Sequence, residues 1–189
     1  MQQTKKEYRS SIRSKKMIRE AFLKLIQEKD ISKISVTELV NEAEINRSTF
    51  YAHYPDVRGV VEECEDKVIQ QMMEVLKDFR YEHFFRNPLP VLLKINRYLE
   101  EDLEFYRILI TTKDSDSFIE KMKKMFIDYM NEDTDIPEKV RMSISFEMRL
   151  YFFAGGIMNM YKQWFLGNLK GSLNDISIEI SQVIKESSR

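Results

Sequence analysis

Residues 35–54 read SVTELVNEAEINRSTFYAHY. Ser35 with Glu38 three residues later is a capping box, so a short helix starts at Ser35. Glu44-Ile45 interrupts it, and Asn46 is placed to cap a second helix. With Asn46 as the cap, Ile45 sits just before it and Phe50 four residues into the helix. That is the hydrophobic-staple spacing, which fixes the angle of chain entry. On a wheel of 46–54, Phe50 and Tyr54 share the side held by Ile45 and face a core. Arg47, Ser48 and Tyr51 share the opposite side, with His53 on its flank. That outer face carries a guanidinium fork, hydroxyls and one flat aromatic, the groups a DNA groove reader uses.

Working outward, residues 11–29 form an amphipathic helix. Met17, Ala21, Phe22, Leu25 and Ile26 recur at 3.6 spacing, and Lys16 and Arg19 lie on a basic outer face. Three helices at about 11–29, 35–43 and 46–53 have helix-turn-helix proportions. Pro55-Asp56 ends the third and caps a fourth, about 57–79. Residues 80–90 are expected as a loop, with Asn87-Pro88 opening the next helix. Helices follow at about 89–101, 103–111 and 116–130. Asp114 or Asp116 would cap the last of these. Pro137 should open one long helix to about 166, GNLKG (167–171) breaks it, and a final helix covers about 173–186. The fold class is all-α, with about nine helices. A three-helix domain spans residues 1–55, and a larger helical domain for effector binding and dimerisation spans 56–189.

Charge and composition narrow the function. The 189 residues carry a net charge of −1, but unevenly. Residues 1–55 hold 11 Lys/Arg against 7 Asp/Glu, and the remainder holds 19 against 24. A basic front on an acidic body suits a polyanion partner, and a solvated lysine-rich surface fits the same numbers. The single cysteine, Cys64, excludes an intrachain disulfide and a thiolate zinc cluster, and reads as apolar filler. His53 and His83 stand 30 apart with no metal-ligand spacing, so neither metal nor cofactor is expected. His53 has no partner at a supporting spacing for acid–base work, so no enzymatic activity is expected. The polar N-terminus and the short LYFFAGGIM run (150–158) predict a cytoplasmic protein without a membrane span.

At this point the stretch 35–54 resembles the DNA-binding helix-turn-helix of the TetR family of bacterial transcriptional regulators. The TFYAHY segment is similar to the family's T-x-Y-x-H/Y-F signature, and the likeness is specific over about residues 10–60. AGG (154–156) followed by Trp164 resembles the eighth helix of one large subgroup. The resemblance implies that Ser35, Thr37 and Thr49 meet phosphates or groove edges, that Arg47, Ser48 and Tyr51 reach base edges, and that His53 touches the backbone. Helix one (Arg9, Arg13, Lys16) would reach further phosphates or be merely solvated. Three positions depart from the family pattern: Glu44 at a turn usually held by glycine, Ser48 in place of a common glycine, and Val57 in place of a phosphate-binding lysine, with Arg58 beside it. In a left-handed conformation, Glu44 would cost about 1 kcal/mol relative to glycine.

The C-terminal part is expected to supply a dimer interface, because specific sites are usually read by two heads. Leu173, Ile176, Ile180 and Val183 follow a 3-4-3 seam that wants a partner helix. Gly155 and Gly156 allow close backbone approach beside Phe152. The alternative is that this seam is core within one chain. The middle helices are rich in Met and aromatics: Tyr106, Met122, Met125, Phe126, Met148 and Tyr151 are candidates for a small-molecule effector pocket of the kind the resemblance implies, or for plain core. Expected partners are a double-stranded DNA operator, a second copy, and a small-molecule effector or protein co-regulator. The resulting reading is a homodimeric regulator, a repressor by preference. A helical interaction module that kept the fold but lost DNA binding is the alternative.

Overall fold

In this computed structural model, residues 2–112 and 115–187 are described, with side chains from residue 10 onward. Arg9 and Asp114, named above as a phosphate contact and a helix cap, have side chains outside that set. The described residues form eleven α-helices and one 3₁₀ turn, with no strand among them. The chain divides into two compact units, Met1–Lys67 and Val68–Arg189.

The first unit is built on α1 (Gln2–Glu28), a 3₁₀ turn (Ile31–Lys33), α2 (Val36–Glu42), α3 (Arg47–Tyr51) and the first half of α4 (Val57–Leu76). Ile18, Ala21, Phe22, Leu25 and Ile26 on α1 are buried, as are Leu39 and Val40 on α2 and Phe50 on α3. Four of the five apolar positions that the sequence sets at 3.6 spacing pack, while Met17 is half-buried and its neighbour Ile18 is buried instead. Val57, Val60 and Cys64 carry the same core along α4, and Asp56 Oδ1 accepts the Gly59 amide at 3.0 Å to start that helix. A boundary at 55 and this one at 67 differ by that half of α4.

The second unit holds the rest of α4, then α5 (Tyr81–Arg86), α6 (Leu89–Glu101), α7 (Leu103–Thr111), α8 (Ser115–Asn131), α9 (Glu138–Arg141), α10 (Ile144–Phe165) and α11 (Leu173–Ser187). Helix α10 packs on α7, α8 and α11, and α11 also packs on α5 and α6. Two expectations are corrected here. The loop expected at 80–90 contains α5, whose Phe84 and Phe85 are buried in the core. The helix expected to run from Pro137 to 166 breaks at Met142-Ser143, where the Ser143 hydroxyl caps a new helix by accepting the Phe146 amide at 3.3 Å. Those two changes raise the count from about nine helices to eleven.

A polar knot sits inside this apolar unit. Asn96 on α6, Tyr161 on α10 and Ser177 on α11 are all buried. The Tyr161 hydroxyl donates to Asn96 Oδ1 at 3.0 Å, and Asn96 Nδ2 donates to Ser177 Oγ and Asn174 Oδ1, each at 2.9 Å. Every member finds partners, so burial carries no unpaired polar group, and the geometry fixes how the three helices meet.

Candidate nucleic-acid interface and effector cavity

The interface is built by two helix starts and the turn between them. At α2, the Ser35 hydroxyl accepts the Glu38 amide at 3.2 Å and Glu38 Oε2 accepts the Ser35 amide at 2.9 Å. Lys29 Nζ donates to the other Glu38 oxygen at 2.7 Å. The Lys29 ammonium and then the Ser35 amide and hydroxyl hold the Glu38 carboxyl down at about 2.

The turn closes with Glu44 N–H on Asn41 C=O at 3.2 Å and Ile45 N–H on Val40 C=O at 3.0 Å. Those two bonds are a Schellman motif, and its left-handed position is Glu44, at φ 51°. The left-handed geometry is therefore carried here by a residue with a Cβ.

At α3, Asn46 Oδ1 accepts the Thr49 amide at 2.7 Å and the Ser48 hydroxyl at 2.7 Å. Phe50 is wholly buried and Tyr54 nearly so, their ring centroids 5.8 Å apart. Tyr51, one residue on, is 55% exposed. Arg47 and Ser48 are exposed beside it, Thr49 and His53 are half-buried, and Ser35 and Thr37 are exposed at the start of α2. Arg47 Nη2 donates to Thr37 Oγ1 at 2.6 Å, so the guanidinium already joins the two helix starts. Burial raises the Tyr54 hydroxyl well above its ordinary range, with the Glu63 carboxylate adding to it. Lys15 bonds Glu63 at 2.6 Å and lies 5.4 Å over the Tyr54 ring. Val57 is buried and cannot reach a phosphate, whereas Arg58 is exposed, with Nε 3.4 Å from Glu62. Arg13 and Lys16 on α1 are exposed.

The second unit contains an apolar cavity of about 60 Å³. Met122, Met125 and Phe126 line it, together with Met72 and Leu76 of α4 and Ala154, Ile157 and Met158 of α10. Three expected members are elsewhere. Tyr106 is buried away from the cavity, its hydroxyl 3.4 Å from Gln71. Met148 and Tyr151 point outward, 67% and 59% exposed. They lie on α10 on the far side from the buried Leu150 and Phe153.

The expected partner seam is corrected in the same way. Leu173, Ile176 and Ile180 are buried in the chain's own core against α5, α6 and α10, while Val183 alone of the four is exposed. Phe152 is 69% exposed, and a Cβ built on Gly155 or Gly156 meets nothing within 4 Å. The open apolar surface therefore belongs to α10, where Ile144, Met148, Tyr151 and Phe152 stand exposed. Cys64 is buried and its thiol is pushed up to about 11 by that burial, which suits filler rather than a reactive thiol. No group of three His, Cys, Asp or Glu poised for a metal occurs among the described residues, and none of their helices is long and apolar enough to cross a membrane.

Compared with known proteins, residues 86–186 match a family model described as the C-terminal region of a transcriptional regulator of the TetR type. No curated protein matches the chain by sequence. Several solved structures share its fold. A protein described as a TetR-family regulator, from Syntrophomonas wolfei, has a TM-score of 0.75 at 12% identity, over 93% of this chain and 94% of its own. A TetR regulator from Streptococcus agalactiae gives 0.68 at 20%, over 96% and 98%. The dihydroxyacetone kinase operon activator DhaS gives 0.61 at 17%, over 92% and 95%.

Proposed function

Because this chain belongs to the TetR family of transcriptional regulators, we propose that it reads a DNA operator as a homodimer and acts as a repressor under small-molecule control. The observation that carries the reading is the split of α3. Phe50 and Tyr54 anchor it, while Arg47, Ser48 and Tyr51 face solvent beside Thr37. Arg47 supplies the fork that matches guanine, Tyr51 the ring that meets a thymine methyl or sugar, and Ser35, Thr37, Ser48 and Thr49 the hydroxyls for phosphate oxygens. His53 and Arg58 extend the phosphate contacts, with Arg58 taking the part that Val57 cannot.

The second copy docks on the outer face of α10, through Ile144, Met148, Tyr151 and Phe152, with Gly155 and Gly156 allowing close approach. The effector occupies the cavity lined by α4, α8 and α10. Helix α4 contributes Val57 and Val60 to one unit and Met72 and Leu76 to the cavity. A ligand that favours one position of α4 would shift operator affinity by its differential binding to the two states. The relative described as an operon activator makes the sign of regulation a matter for a reporter assay.

The test is binding of the full chain to duplex DNA from the region upstream of its own gene, titrated from about 50 to 200 mM salt. A protein that neutralises 6–10 phosphates loses about 10³–10⁵ in affinity over that range. Binding that ignores salt, or no binding to any duplex, removes the DNA-reading role.

A further inference from the structure

Tyr54 follows the last turn of α3, and Glu63 lies on the first half of α4. Both belong to the unit that ends at Lys67. The Tyr54 ring is buried beside Phe50, and its hydroxyl bonds the Glu63 carboxylate. Lys15 of α1 completes the contact. Its ammonium is 2.6 Å from Glu63 Oε2 and 5.4 Å from the centre of the Tyr54 ring. Arg19, one turn further along α1, adds its charge to the field at the same carboxylate. One acidic group on α4 is thus held by α1 and by the end of the reading helix.

Such a contact adds little stability. Lys15 and Glu63 are 40% and 46% exposed, and pairs so exposed are screened and cost side-chain freedom to hold. Its consequence is directional. Phe50 and the Tyr54 ring hold α3 by apolar packing, which has no preferred direction and tolerates sliding. A hydrogen bond weakens steeply when it is bent. The Tyr54 hydroxyl therefore restrains the rotation of α3 about its axis, and with it the aim of Arg47 and Tyr51. Helix α4, which carries Glu63, is also the element that continues past Lys67. We infer that Glu63 is a positioning residue for DNA reading, setting the aim of α3 from α4 through Tyr54 and Lys15. This rests on the reading of α3 as the helix that meets DNA.

Competition binding of the full chain to a duplex selected from a random library, against a scrambled duplex, tests it. Glu63→Ala should lower the preference for the selected duplex at least about fivefold. Its affinity for the scrambled duplex should hold or rise, because removing a carboxylate makes the head more positive. A purely electrostatic role would raise both affinities alike and overturns the inference. Tyr54→Phe keeps the ring in the core and should lower the preference by a similar factor. The double variant should lose no more than Glu63→Ala alone. Glu63→Gln keeps an acceptor for the hydroxyl and should restore most of the preference. The Glu63 variants should melt within about 2 °C of the wild type, as surface substitutions do. If Glu63→Ala fails to fold, Tyr54→Phe and Glu63→Gln decide the matter. A preference within about twofold of the wild type, whatever the melting temperature, leaves Glu63 a structural role only and overturns the inference. Losses that add in the double variant overturn the route through Tyr54. A wild type that binds no duplex removes the DNA-reading role and the inference with it.

Discussion

Arg47 and Thr37 are joined by a 2.6 Å hydrogen bond between the starts of two successive helices. The bond holds a long, flexible side chain in place before any partner arrives, so less rotamer freedom is lost when the guanidinium meets a base. Thr37→Val keeps the shape and removes the acceptor. It should weaken binding to a specific site by about 0.5–1.5 kcal/mol. The melting temperature should stay unchanged, because both residues are exposed. Binding isotherms and thermal denaturation, run together, check this.

Phe50 is wholly buried while its neighbour Tyr51 is 55% exposed, with the two rings edge to face at 5.5 Å. Phe50→Ala should cost about 3–5 kcal/mol of stability, the usual penalty for emptying a fully buried aromatic site. Tyr51→Ala should change stability by no more than about 0.5 kcal/mol. Urea denaturation of both variants distinguishes the faces, and the reverse order would mean that α3 presents the other side.

Glu44 occupies the left-handed position of the Schellman turn at φ 51°. Glycine has no Cβ to strain there, although it loses more freedom on folding. Glu44→Gly should stabilise the chain by about 0.5–1 kcal/mol, and Glu44→Val should destabilise it by at least as much. Denaturation midpoints measure both. Stabilisation by valine would be incompatible with the turn geometry.

The Glu38 carboxyl, held at about 2 by Lys29 and Ser35 against an ordinary 4.5, gives a sign for pH. A depressed acid contributes stability above its unfolded value, and the contribution disappears as pH falls through the folded one. The wild type should therefore exceed Glu38→Gln in melting temperature at pH 7. The gap should narrow between pH 4.5 and 2. A gap that is constant over that window would assign the effect to the hydrogen bonds alone.

Phe152 stands 69% exposed on α10 beside two glycines with open space above them. Phe152→Glu should convert the proposed homodimer to monomer, read by sedimentation velocity, with helix content intact. Val183→Glu, exposed on α11 rather than α10, should weaken association less. An unchanged dimer in the Phe152 variant would move the interface off α10.

Local chemistry was legible in the sequence and tertiary partnership was not. The Ser35 box and the Asn46 cap involve groups three residues apart, so side-chain type and spacing determine them. The wheel of α3 sorted Phe50 from Tyr51 because a short helix on a core has one buried side. The 3-4-3 spacing of Leu173, Ile176 and Ile180 reports only that a face is buried, and here α6 and α10 of the same chain bury it. Met148 and Tyr151 were placed inside because they are apolar, yet they lie on the open face of α10. Helix α5 was missed between turn formers, although the Phe84-Phe85 pair and the Glu82–Arg86 spacing were signals for it. The break before α10 had its own signal in Ser143, a capping residue ahead of an apolar run. The cavity draws on several helices, and no sequence spacing encodes that convergence.

The central claim is that α3 reads base edges through Arg47 and Tyr51. The direct measurement is competition between a site selected from a random duplex library and a scrambled duplex, for the wild type and for the Arg47→Ala, Tyr51→Ala double variant. The account predicts that the double variant folds and dimerises normally, keeps salt-sensitive binding to any duplex, and loses about 1–3 kcal/mol of discrimination for each lost base contact. Discrimination equal to that of the wild type would contradict it.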